Sequence, residues 1–212
     1  FPGPGLGVRL LCSNGEPDLQ PDELRQLESA AREVASSYQL EANVLPIKSV
    51  GVKADLRSFE HPVLLHGLSE WRVLKEVAGK IYKGVPGINR CLWNLGPVKP
   101  QEIRLLAAQM TRVRLDLLRE LDAIVMQALR DSNCYERVWQ CPTVLVPLCV
   151  DDHGKEFCII RPVNSERGMT ATAAELPIEF LHKVRDEILT IPEIAGVAYD
   201  ITSKPPGTIE WE

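Results

Sequence analysis

Positive charge is scarce in this sequence. Its 24 lysines and arginines face 29 aspartates and glutamates, a formal net charge of −5 over 212 residues. Broad binding to nucleic acid or to an anionic membrane surface needs a basic excess, so neither partner is expected. A small anionic ligand stays open, because it needs only a local cluster of cations. No apolar run approaches the ~18 residues that cross a bilayer as a helix. Cys12, Cys91, Cys134, Cys141, Cys149 and Cys158 show neither CxxC nor Cys/His metal spacing. A chain of this length can build a core without disulfides, so the cysteines read as reduced, structural and cytoplasmic. There is no P-loop, no GxGxxG, and no histidine paired with a cysteine as a nucleophile's base. His61, His66, His153 and His182 are scattered and read as surface or capping residues. The chain opens on Phe1, and no charged segment leads into an apolar one, as expected of an excised fragment.

What is present is a periodic α and β pattern. Pro21-Asp22-Glu23 opens a helix whose Leu24, Leu27, Ala31, Val34 and Ala35 form an apolar stripe. Asn43 to Val52 reads as a strand and Asp55 to Ser58 as a turn. Phe59 to Leu65 reads as a return strand, placed at an edge because of Pro62. A helix over Glu70–Tyr82 and a strand over Ile88–Leu95 follow. Gln101 to Arg130 is helix-rich with a break near Met110-Thr111. Val138–Asp151 and Lys155–Val163 read as strands, Leu176-Pro177 opens a helix, and Ile194–Thr202 is the last strand. The same order thus occurs twice. The expected fold class is α+β: after an arm at 1–20, two tandem α-β-β-α-β units at 21–110 and 111–212. Their antiparallel sheets would carry helices on one face, as an internal pseudo-dimer.

The last thirteen residues, Asp200-Ile-Thr-Ser-Lys-Pro-Pro-Gly-Thr-Ile-Glu-Trp-Glu212, are unusual for a terminus, which is ordinarily polar and frayed. Pro205 and Pro206 stiffen the frame on which Lys204 enters a turn, and Gly207 permits close backbone approach to a ligand. A lysine so held suits a phosphate, since ammonium is a compact point charge. Thr208, Glu210 and Trp211 follow with strand-like spacing, and simple packing of Trp211 is the competing account. Carboxylates outnumber Lys204 in this tail, so further cations must converge on any phosphate; Arg9, Arg57 and Arg161 are the candidates.

The segment Val197-Ala-Tyr-Asp-Ile-Thr-Ser-Lys-Pro-Pro-Gly-Thr-Ile-Glu-Trp-Glu212 resembles the C-terminus of GMP synthase, the glutamine-hydrolysing ligase of purine synthesis. Gly168-Met-Thr-Ala171, Leu176-Pro177, Phe180-Leu-His-Lys-Val184 and the opening Phe1-Pro-Gly-Pro-Gly-Leu6 are similar to the same region. Val50-Gly-Val-Lys-Ala-Asp-Leu-Arg-Ser-Phe59 is similar to a further block of that family, with Ala54 and Phe59 departing from its Gly and Tyr. The resemblance implies the C-terminal region that binds XMP and dimerises, in a longer, duplicated form. It carries XMP binding to Lys204, Glu210, Gln140 and Asp55, with Thr208, Gly207 and Arg57 beside them. It implies no cofactor in this chain; ATP and Mg belong to the full-length enzyme. The partners implied are XMP and the ATP pyrophosphatase and glutamine amidotransferase domains of the same enzyme, with a homodimer left open. The chain by itself is not expected to catalyse. Two other readings stand beside this one: a purely structural oligomerisation module, and an RNA-binding α+β domain of KH type. The acidic charge and the missing GxxG clamp count against the latter.

Overall fold

Four amphipathic helices and one large sheet follow from these patterns. The computed structural model describes residues 3–53, 56–96, 102–150 and 154–212. Helix α1 (Pro21–Ser36) starts on a capping box, in which the Gln20 N–H donates to the Glu23 carboxylate at 3.0 Å. Helix α2 (Trp71–Gly84) buries Leu74, Val77, Ala78 and Ile81 along one stripe. Helix α3 (Arg112–Asp131) begins where the break was read: Thr111 is its N-cap and accepts from the Arg114 N–H at 3.3 Å. The residues just before it, 102–110, are extended rather than helical. Helix α4 (Ile178–Ile188) follows Pro177.

Seven strands form the sheet: β1 (Glu41–Val44), β2 (Ser49–Lys53), β3 (Leu56–His66), β4 (Ile88–Gly96), β5 (Thr143–Val146), β6 (Glu156–Ile160) and β7 (Ile194–Asp200). Their order is β1-β3-β4-β7-β6-β5, with β2 pairing the outer part of β3. The expectation of antiparallel sheets is corrected. β3 runs parallel to β4 and β6 parallel to β7, while β1/β3, β2/β3, β4/β7 and β5/β6 are antiparallel. Each parallel pair is joined through a helix, α2 or α4, because a parallel connection must cross over the sheet.

Pro62 does not mark an edge either. β3 lies between β1 and β4, and its register shifts between His61 and Pro62. The irregularity accommodates the ring and the missing N–H inside the sheet. The stretch read as one strand from Asn43 is two, β1 and β2, with Pro46 between them. Arg57 and Ser58 are strand residues of β3 rather than turn, whereas Asp55 lies outside the described residues. His61 and His66 are buried, not superficial.

All four helices pack on one face of the sheet, against Val63, Cys91, Leu145, Ile160, Val197 and Tyr199 among others. The opposite face carries Leu64, Leu92, Val144, Ile159 and Ala198, and among the described residues no helix covers it. There the chain's own terminus does the work: Trp211, 1% exposed, packs on that cluster. β7 is buried along its whole length, as a central strand covered on both faces should be. Its Gly196 lies directly under the Phe157 ring, and a Cβ there would stand 2.3 Å from Cε2. Gly196→Ala is therefore expected to destabilise the fold by about 1–3 kcal/mol through overpacking, read from urea denaturation.

Candidate functional site

The tail is tied down by charge buried beneath it. Asp200, at the end of β7, is fully buried and meets two equally buried guanidinium groups. Arg90 Nη1, from β4, donates to Asp200 Oδ2 at 2.9 Å, and Arg161 Nη1, just past β6, lies 2.7 Å from Asp200 Oδ1. Trp211 Nε1 donates to the same Oδ2 at 3.1 Å. Arg90 also reaches the tail directly: Nη2 donates to Thr208 Oγ1 at 3.0 Å, to the Glu210 carbonyl, and to the Val50 carbonyl of β2 at 2.9 Å. Its guanidinium lies 4.7 Å from the Trp211 ring centre, a cation–π contact.

Burial alone would raise the Asp200 carboxyl, yet Arg161 and Arg90 hold it below the usual carboxylate range. Burial, reinforced by Arg161, pulls the Arg90 guanidinium down to about 9, still charged at neutral pH. Two cations thus share one carboxylate. Among the described residues Arg161 Nε and Nη2 find no hydrogen-bond partner, nor does Arg90 Nε. The floor of the tail carries an excess of positive charge.

Two glycines let the tail lie close to the sheet. Gly51 bridges Gly207, the Val52 N–H donates to the Pro206 carbonyl at 2.7 Å, and the Val50 N–H donates to the Trp211 carbonyl at 3.0 Å. A Cβ on Gly51 would fall 2.6 Å from the Pro206 oxygen, and one on Gly207 would fall 3.2 Å from Arg90 Nη1.

Lys204 is half-buried, and its backbone pairs with Ala171 in both directions, at 2.8 and 3.1 Å. Its Nζ donates to the Gly168 carbonyl at 2.6 Å. Among the described residues no carboxylate pairs with this ammonium. Gln140 is two segments away: it exchanges backbone hydrogen bonds with Val163, which pairs with Ala173 of the segment that holds Lys204 and packs with Ala171, Ile209 and Trp139. Thr208 Oγ1 accepts from Arg90 and donates to the Val50 carbonyl at 3.0 Å. Glu210 exposes its carboxylate, while its carbonyl is held by Arg90. Arg57 is exposed on β3 opposite Val52, the residue that holds Pro206, so it stands one strand from the tail. The structure thus keeps Lys204, Gly207, Thr208 and Glu210 together in the tail, with Arg57 at its border and Gln140 on a segment beyond Val163.

Two of the further cations named from charge counting do not behave as free ones. Arg9 pairs with Asp122 of α3 at 2.7 Å, away from the tail. Arg161 is buried against Asp200. Sequence reasoning passed over Arg90, although an arginine inside the apolar run Ile88–Leu95 was the available signal. Among the described residues no set of three or more metal-ligating side chains gathers.

Comparison with known proteins places these features. Residues 127–211 match the family model described as the GMP synthase C terminal domain. A probable glutamine-hydrolyzing GMP synthase of Leptospira interrogans is 36% identical over 217 residues, covering 100% of this chain and 35% of the relative. Glutamine-hydrolyzing GMP synthases of Streptomyces coelicolor and Chlorobium luteolum are 41% and 45% identical, over 50% and 52% of this chain and 22% and 23% of their own lengths. The chain spans about a third or less of the curated relatives it matches.

The buried triad yields a stability prediction. Asp200→Asn leaves two guanidinium groups without their counter-charge and is expected to cost about 3–5 kcal/mol at neutral pH. Because the Asp200 carboxyl is held below its ordinary value, its contribution is present above about pH 4 and lost as pH falls through the folded value. Urea denaturation across the acid range should therefore show a pH-dependent loss in the native protein that is smaller in the asparagine variant.

Proposed function

We propose that this chain, whose residues 127–211 match the family model of the GMP synthase C terminal domain, is the XMP-binding and assembly region of a glutamine-hydrolysing GMP synthase, active in amination of XMP to GMP. The observation that carries this reading is the Lys204 ammonium. It is half-buried, bonded to a neutral carbonyl, uncompensated by any carboxylate among the described residues, and part of a tail held down by the buried triad. That is the electrostatic setting of a phosphate. Lys204 takes the phosphate, Gly207 lets the backbone approach it, and Arg57 adds charge from the border. Glu210, Gln140 and Asp55 are the groups assigned to ribose hydroxyls and purine N–H, which carboxylates and amides can accept or bracket. Thr208 keeps Arg90 and the tail in register.

The chain's own part is to bind and orient the nucleotide. Glutamine hydrolysis and ATP chemistry, with Mg, are assigned to the amidotransferase and pyrophosphatase domains of the same enzyme, whose motifs this sequence lacks. The free state of all six cysteines supports a cytoplasmic setting. The pseudo-dimer reading, with units at 21–110 and 111–212, is supported by the matching order α1-β1-β3-α2-β4 and α3-β5-β6-α4-β7, and by the antiparallel meeting of β4 with β7. In that arrangement the acidic tail and its lysine belong to the second unit alone.

Calorimetric titration with XMP, with GMP and AMP as controls, tests the proposal. Selective, saturable XMP binding is expected, and Lys204→Ala should weaken it by about 1.5–3 kcal/mol, the scale of a charge-assisted hydrogen bond. Unaltered XMP affinity in that variant would remove Lys204 from the site. No binding by the unaltered chain would favour a purely assembling role.

A further inference from the structure

Lys204 reaches its position through a segment that no residue assignment above includes, the loop from Ser165 to Thr170. The loop is closed at its base, where Val163 and Asn164 pair antiparallel with Ala173 and Thr172, and Ala171 pairs with Lys204 itself. Inside it, Ser165 Oγ accepts from the Gly168 N–H at 2.8 Å and donates to the Thr170 carbonyl at 2.5 Å. One hydroxyl therefore spans the loop. Gly168 sits at φ +73°, in the left-handed region that favours glycine, and rests against Trp139, whose Cη2 would lie 3.4 Å from an added Cβ. Held between Ser165 and the indole, Gly168 turns its carbonyl onto Lys204 Nζ at 2.6 Å.

We propose that Ser165 is a positioning residue for the Lys204 ammonium, acting through the Gly168 carbonyl; this rests on the reading of Lys204 as the phosphate ligand. A lysine stem is long and flexible, and its ammonium carries three donors. The Gly168 carbonyl takes one donor and fixes the direction of the other two without neutralising the charge. A carboxylate in its place would compete with the phosphate. The neutral carbonyl orients the ammonium and leaves its charge available, so the nucleotide meets a cation already in place. The same loop touches Trp139, the neighbour of Gln140.

A double-mutant cycle on XMP binding tests this. Ser165→Ala should weaken XMP by about threefold to tenfold, the worth of one net hydrogen bond. Ser165→Thr, which keeps the hydroxyl, should restore most of that loss. In the Lys204→Ala background the same Ser165→Ala change should have no further effect, because its only route to the ligand is gone. Additive losses would overturn the proposal, since they would show Ser165 acting on the ligand or the fold independently of Lys204. So would native affinity in Ser165→Ala alongside weakened binding in Lys204→Ala. Unchanged affinity in Lys204→Ala fails the functional reading itself, a result separable from the other two.

Discussion

The pairing of Asp200 with Arg90 and Arg161 is the constraint on which the lower face of the molecule depends. Each of the three side chains is fully buried, so none can be satisfied by water. One residue comes from the strand leaving α2, one from just beyond β6 and one from the end of β7. Their meeting fixes the relative placement of three strands, and Arg90 then extends to β2 and to the tail. Ion pairs in such a place do not repay their desolvation by attraction alone. What this one achieves is registry: the Trp211 ring, the Thr208 hydroxyl and the Glu210 carbonyl all bond to or stack on members of the triad, so the tail has one way to lie. Lys204 is then left where no carboxylate among the described residues matches its charge.

The sequence made the helices legible because their apolar stripes are strong and local. The stripe from Leu74 to Ile81, and the start of α3 at Thr111, rest on interactions within a few residues. It made the tail legible as a rigid, ligand-like segment for the same reason, through Lys204, the two prolines and Gly207. Strand direction was another matter. Nothing in the runs Phe59–Leu65 or Lys155–Val163 says whether the next strand returns beside them or crosses over a helix to lie parallel. Pro62 argued for an edge, yet a register shift absorbs it inside the sheet. Arg90 and Arg161 could be recognised as charges in apolar strands, but not as partners, because their common counter-ion is Asp200. Arg9 was equally plausible as a free cation until its pairing with Asp122 was visible.

The candidate site divides along the same line. Residues within the tail were found together because the chain itself holds them together. Gln140 and Arg57 are set near the tail through Val163 and Val52, by backbone pairings between segments far apart in the chain. Gly168 was within a recognised block and Ser165 just before it, yet their bearing on Lys204 is a matter of carbonyl direction, which no residue-type pattern encodes.

The antiparallel pairing of β4 with β7 has a bearing on how the molecule comes into being. Leu92 opposite Asp200 and Trp93 opposite Tyr199 bring together residues from the middle and the end of the chain. Contacts of such long sequence separation close large loops and form slowly compared with the local crossovers through α2 and α4. The helices and their parallel strand pairs can organise early, each within its own stretch of chain. The seam closes a larger loop than either crossover, and the tail rests on strands from both sides of it. The tail's bed is therefore a property of the joined halves: the guanidinium of β4 and the carboxylate of β7 that hold it down are brought together only where the seam is closed.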